Sequence, residues 1–318
     1  MQTFIFPFLF LFFLVDNSTD DKKNNEEPTS NDVAEHSVVG LTSIYEGEWD
    51  CLPQPLFWKE IMLLSPDSCL INIAEDRTVL ERKLFDDWMD QTPDEKQEYK
   101  DSLRKAYNLS ENTQINVTTG KNDFYRFDDV YTSLAKGRDA FITHGVDPWF
   151  AQAILLIESP GQLKRSHVGA YGAFQLMPGV ARSQGLVVNK HVDERTDFDK
   201  SAMGSARLIS RICIPEAKKI LDAHNLSYNE QDMWFRLFVL HVYHAGARNV
   251  GSLLSQLEEP LEGMELIQWM WKNEYGNFKN ASQNYSQIAI AAMLTLNEIV
   301  LSDCDYILEN HNFNAIEN

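Results

Sequence analysis

The 318-residue sequence predicts a mainly α protein, with a helical N-terminal region over residues 46–127 and a larger helical domain over residues 128–310. Three observations predict it. Apolar residues recur at three- and four-residue spacing through most of the chain after Trp49, as in Tyr99, Leu103 and Tyr107. Helix-start signals precede two of those segments, Thr92-Pro93-Asp94-Glu95 and Asp147-Pro148. No internal repeat and no heptad run is present. The 44% hydrophobic content is enough for a sizeable core.

Residues 1–15 hold an apolar run that is too short for a comfortable membrane span, which takes about 20 residues. The run reads as the core of an export signal, although no Lys or Arg precedes it and no small-x-small cleavage site follows. Residues 16–45 are polar and acidic and lack apolar periodicity, which predicts a disordered tether. A short apolar helix is expected to follow Pro55-Leu56-Phe57-Trp58 and to end at Leu64, before a Ser65-Pro66-Asp67 turn. Val79, Leu80, Leu84, Phe85 and Trp88 fall at helical spacing and predict an amphipathic helix. Thr92 opens another. Residues 111–127 are richer in β-branched and turn residues and predict a short extended piece. Beyond them, helices are expected over 128–145, from Pro148 to Glu158, over 179–184, 199–214, from Pro215, and over 231–245, 262–272 and 285–300.

The stretch that organises the chain runs from Ala151 to Ala181. An apolar run, Ala153 to Ile157, ends on one carboxylate, Glu158, and a helix-breaking Ser159-Pro160-Gly161 follows. A carboxyl at the C-terminal end of a buried helix is costly to ionise, because burial and the local helix dipole both oppose the charge. Such a group holds a proton near neutral pH, as a general acid must. Next come Gly169-Ala170-Tyr171-Gly172-Ala173 and Phe174-Gln175-Leu176-Met177-Pro178, a glycine-spaced loop in which backbone can approach a ligand closely.

These residues resemble the SLT-type lytic transglycosylases, which cleave the glycan strands of peptidoglycan. The resemblance rests on Glu158-Ser159, on Ser166 to Pro178 with its Gly-Ala-x-Gly and Gln-x-Met-Pro elements, on Tyr243-His244-Ala245-Gly246, and on Asn284-Tyr285. It covers residues 147–302, about half the chain. It implies a lysozyme-like α-helical fold for the catalytic domain. It also implies a one-acid reaction, in place of the two carboxylates of ordinary glycosidases. Glu158 would protonate the glycosidic oxygen of a MurNAc–GlcNAc bond and then take the proton from the MurNAc C6 hydroxyl. That hydroxyl attacks C1, giving a 1,6-anhydro product without water, while the substrate's N-acetyl group stabilises the oxocarbenium-like centre. Ser159, Ser166, Gln175, Met177, Tyr243 and Tyr285 are the implied substrate-binding residues.

The chain departs from the family pattern in two places. His244 stands where the family has Asn, and the loop after Glu158 is about one residue shorter and holds Lys164 and Arg165. Two other readings compete: a hydrolytic lysozyme or chitinase, and a peptidoglycan-binding scaffold with weak or no catalysis. No metal or other cofactor is expected. His241 and His244 stand three apart on a helix, but the sequence offers no third ligand beside them. A net charge of −19 without a basic cluster argues against a nucleic-acid partner and leaves glycan strands as the expected one, bound by a monomer. The four cysteines, Cys51, Cys69, Cys213 and Cys304, form an even set without a CxxC element, so zinc is not expected. They allow three disulfide pairings; Cys213–Cys304 with Cys51–Cys69 is favoured, and buried free thiols are the alternative. With the apolar start, an even set fits export to the periplasm or cell envelope of a bacterium.

Overall fold

The computed structural model describes residues 41–158 and 165–314, the side chains of residue 128 and of residues 303–314 excepted. The chain is mainly helical, as its spacing predicts. In order the elements are α1 (Leu41–Glu46), α2 (Pro53–Leu63), β1 (Ser68–Ile73), β2 (Val79–Leu84), α3 (Phe85–Met89), α4 (Pro93–Ala106) and β3 (Ile115–Thr119). Then come α5 (Tyr131–Thr143), α6 (Pro148–Glu158), α7 (Pro178–Ser183), α8 (Phe198–Leu208) and α9 (Ile214–Ala223). The set ends with α10 (Met233–Ala245), α11 (Ala247–Leu254), α12 (Gly263–Lys272) and α13 (Asn280–Asn314).

The centre of the molecule is α13. Its residues from Ile288 to Leu296 are buried on every face, which marks a helix enclosed by others. It is long and apolar enough to cross a membrane by composition alone, yet α2, α6, α10 and α12 pack around it. Its neighbour α6 is equally enclosed: Trp149 to Ile157 are all buried. Asp147 starts α6 by accepting the Trp149 amide at 2.9 Å, and its other oxygen is bound by Arg236 Nε at 2.8 Å. On the far side α5 packs closely against α6. A Cβ on Gly137 would sit 2.6 Å from Leu155 Cδ1, so any larger residue there would make the Leu155 side chain shift. Between α8 and α9 the helix widens into a π-turn over Ile209–Cys213. Pro215 lacks an N–H and its ring would collide with the carbonyl four residues back; the widened turn accommodates it.

The N-terminal region differs from the sequence expectation. Residues 79–84 form a strand, not the start of an amphipathic helix; helix resumes only in the short α3. β1 pairs antiparallel with both β2 and β3, giving a sheet in the order β2-β1-β3 with a bulge at Ile71/Asn72. The cause is tertiary. Cys69 to Asn72 form a continuous buried run that needs partners on both edges. A tight turn follows, in which Asp76 Oδ1 accepts the Thr78 amide at 3.0 Å and Arg77 adopts a φ of 66°. That turn returns the chain alongside β1 before a helix can form. The extended piece expected within 111–127 is β3. The capping box at Thr92 is formed: Thr92 N–H donates to Glu95 Oε2 at 2.7 Å, and Glu95 N–H to Thr92 Oγ1 at 3.3 Å. One face of α4 covers the sheet through Leu103, against Ile71, Leu80 and Ile115.

One boundary also moves. The end of the predicted tether is helical: α1 begins at Leu41, and Ile44 is fully buried. The N-terminal helices share the main core, in which Ile44, Trp49, Phe57, Trp58 and Ile61 join α13. Buried polar contacts fix the same junction. Trp58 Nε1 donates to Gln287 Oε1 at 3.0 Å, and Arg77 Nη2 donates to Asn284 Oδ1 at 2.6 Å and to Asn280 Oδ1 at 3.1 Å. Burial lowers the Arg77 guanidinium to about 10.

The favoured disulfides are not formed. Cys51, Cys69 and Cys213 are free thiols. Cys69 is buried in the central strand, whereas Cys51 is exposed in a 3-10 turn over Trp49–Cys51 and hydrogen-bonds Asp50. Cys213 is buried in the π-turn, where desolvation pushes its thiol up to about 12. The side chain of Cys304 lies outside the described residues.

Candidate active site

Helix α6 carries Glu158 as its last residue, so that the carboxyl follows the buried apolar run Ala153 to Ile157. Glu158 is half-buried. The surrounding protein pushes its carboxyl up to about 7, and the Tyr285 hydroxyl opposes that shift by donating to Glu158 Oε1 at 2.8 Å. Tyr285 stands near the start of α13 and is 3% exposed. Three phenols therefore cluster around the acid: Tyr285 directly, with Tyr125 and Tyr243 close enough for its charge to raise their pKa values. Among the described residues no second carboxylate shifts the Glu158 titration.

Tyr243, in the last turn of α10, joins the site to the glycine-spaced loop. Its hydroxyl donates to the Phe174 carbonyl at 2.6 Å and lies 3.3 Å from Ser205 Oγ. Phe174 is fully buried, so this bond fixes the backbone immediately before Gln175. Gln175 has a φ of 46°, and its Nε2 donates to the Gly172 carbonyl at 2.9 Å, closing the turn on itself. Met177 is 40% exposed and is the N-cap residue of α7. Ser166 closes the other end of the loop: its Oγ accepts the Ala170 amide at 2.9 Å. The structure thus brings Glu158, Tyr243 and Tyr285 together, and ties Gln175 to them through Tyr243. Ser166 is engaged within its own loop. Ser159 lies outside the described residues.

The support of this loop is not signalled in the sequence. Arg195, 2% exposed, donates through Nη1 to the carbonyls of Gly169 at 2.7 Å and Leu176 at 2.8 Å. Its Nε and Nη2 form a fork onto Asp193 at 2.8 and 2.7 Å. The Arg195 carbonyl presses against Gly172, where a Cβ would approach it to 1.9 Å at a φ of 85°. Glycine is required at 172 on both counts. Asp193-Glu194-Arg195 has no chemical signature of its own in the chain; only the folded loop gives it a role.

The two histidines of α10 have separate partners. His241 is buried, with Nε2 2.8 Å from Ser286 Oγ, which also accepts Trp271 Nε1–H at 2.7 Å. Its Nδ1 lies toward the Ser282 backbone without a well-formed hydrogen bond. His244 stacks on Tyr285, with ring centroids 4.3 Å apart and planes 21° apart. It is exposed, yet desolvation by the protein around it pushes its imidazole down to about 4. Among the described residues no group of three His, Cys, Asp or Glu side chains is placed to hold a metal ion.

No family model matches this chain, and no curated protein matches it.

Proposed function

We propose that the chain is a peptidoglycan lytic transglycosylase with a lysozyme-like catalytic domain, exported to the bacterial envelope and acting on glycan strands. One observation carries the reading. One carboxyl, Glu158, ends a helix buried from Trp149 to Ile157, is held near 7 and accepts a phenol hydrogen bond, with no second carboxylate among the described residues acting on it. A protonated carboxyl there can deliver its proton to a glycosidic oxygen. Tyr285 then stabilises the carboxylate left behind, which is the base that receives the C6 hydroxyl proton. The loop from Gly169 to Met177 is joined to the acid through Tyr243 and Phe174, and its exposed Met177 would meet a sugar, with Gln175 holding the turn beside it.

The reading is tested by digesting purified sacculi and determining the product ends by mass spectrometry. Products ending in 1,6-anhydroMurNAc are expected. Ordinary reducing MurNAc ends alone would make the protein a hydrolase, and intact sacculi would leave a binding role.

The pH profile follows from the same carboxyl. Glu158 must be protonated to start the reaction, and its ordinary value of 4.5 is raised to about 7. The kcat/KM of the free enzyme is therefore expected to be level on the acid side and to fall with a midpoint near pH 7, where the carboxyl loses its proton. A midpoint near the ordinary carboxylate value would place the acid elsewhere.

A further inference from the structure

We propose that His244 is a positioning residue for the acid: its ring holds the Tyr285 phenol in the orientation that donates to Glu158 Oε1. This deepens the reading of Glu158 as the acid and rests on it for the catalytic consequence, but not for its test. Three helices meet in one chain of contacts: α10 supplies His244, α13 supplies Tyr285 and α6 supplies Glu158. The near-parallel rings at 4.3 Å form an offset stack, a geometry that limits rotation of the phenol about its side-chain bonds. The opposite end of the tyrosine is fixed by the hydrogen bond to Glu158. Asn284, the preceding residue, is held by Arg77, so the backbone of α13 at this point is anchored independently of the ring. The ring is thus the part whose orientation remains for His244 to set.

The contact acts through orientation and not through charge. Burial pushes the Tyr125, Tyr243 and Tyr285 phenols and the Cys213 thiol up, and pushes the His241 and His244 imidazoles down to about 3 and about 4. All these neighbours are uncharged through the neutral range, where Glu158 titrates.

The experiment follows the Glu158 carboxyl by ¹³C NMR pH titration of the full chain, its signal assigned by loss in Glu158→Gln. Tyr285→Phe removes the donor and should raise the midpoint, because the bond favours the ionised carboxylate. His244→Ala should raise it as well, and the His244→Ala, Tyr285→Phe double variant should show no more than the Tyr285→Phe shift. His244→Phe restores a stacking ring and should keep the parent midpoint. In sacculus digestion, His244→Ala should lose about tenfold in kcat with little change in KM, about the worth of one hydrogen bond. An unchanged midpoint in a folded His244→Ala protein, an additive shift in the double variant, or equal shifts in His244→Ala and His244→Phe would each overturn the proposal. A shifted midpoint in a protein that leaves sacculi intact would keep the positioning role and remove the glycan reaction.

Discussion

Glu158→Gln is expected to abolish glycan cleavage without loss of folding. The amide preserves the size of the side chain and can still meet the Tyr285 hydroxyl, but it can neither give the proton nor take it back. A single general acid–base step is worth about 10²–10⁴-fold. One carboxyl serving both steps should lose more than that, leaving no cleavage above background. The stability consequence has a definite sign. The folded-state carboxyl titrates at about 7, above its ordinary 4.5, so the folded protein binds the proton more tightly than the unfolded chain. The parent protein therefore loses stability relative to the Gln variant as pH rises from about 4.5 through about 7. Melting temperatures should be similar near pH 4 and should separate in favour of Glu158→Gln at pH 8. Substantial residual cleavage would mean that another group is the acid. A variant that melts lower than the parent at pH 8 would mean that the ionised carboxylate is better solvated than its surroundings imply.

Arg195→Ala is expected to produce the largest loss of stability. The buried guanidinium satisfies two backbone carbonyls and the Asp193 carboxylate together. Removing it takes the donor from the Gly169 carbonyl and the fork from Asp193, while the Leu176 carbonyl keeps the Tyr171 amide and Asp193 keeps the Arg195 backbone amide and Arg165. Breaking a buried ion pair costs about 3–5 kcal/mol, and roughly 3 kcal/mol is expected here because the Asp193 side chain keeps 20% exposure. Arg195→Lys should recover little of this, since an ammonium cannot reproduce the fork and reach both carbonyls. Cleavage should fall with stability, because the loop holding Gln175 and Met177 loses its support. Denaturant unfolding measures the first effect and sacculus digestion the second. A loss below about 1 kcal/mol would show that the loop holds itself without Arg195.

The site was legible in the sequence to the extent that its chemistry is local. The apolar run before Glu158, the Asp147-Pro148 start and the glycine spacing of the loop are all set by neighbours within a few residues, and α6 and the turns at Gly169 and Gly172 follow them. Thr92 was readable for the same reason, because a capping box closes within four residues. What was hidden depends on contacts between distant segments. Val79 to Trp88 carry helical spacing, but β1 captures residues 79–84 as a strand, and only the hairpin turn with Asp76 and Arg77 hints at it. Arg195 reads as a surface residue until Gly169 and Leu176 fold over it. His244 and Tyr285 are far apart in sequence, so their stacking exists only once α10 lies against α13. The even cysteine count suggested pairing, but position decides it, and Cys69 sits inside a sheet away from the exposed Cys51.

The central claim is that Glu158 alone carries the proton both ways, so that the sugar's own hydroxyl, and not water, closes the reaction. Digestion of sacculi in H₂¹⁸O, followed by mass spectrometry of the released glycans, tests it most directly. The account predicts products with anhydro ends and no ¹⁸O at the cleaved MurNAc. One ¹⁸O atom per cut at C1 of MurNAc would contradict it.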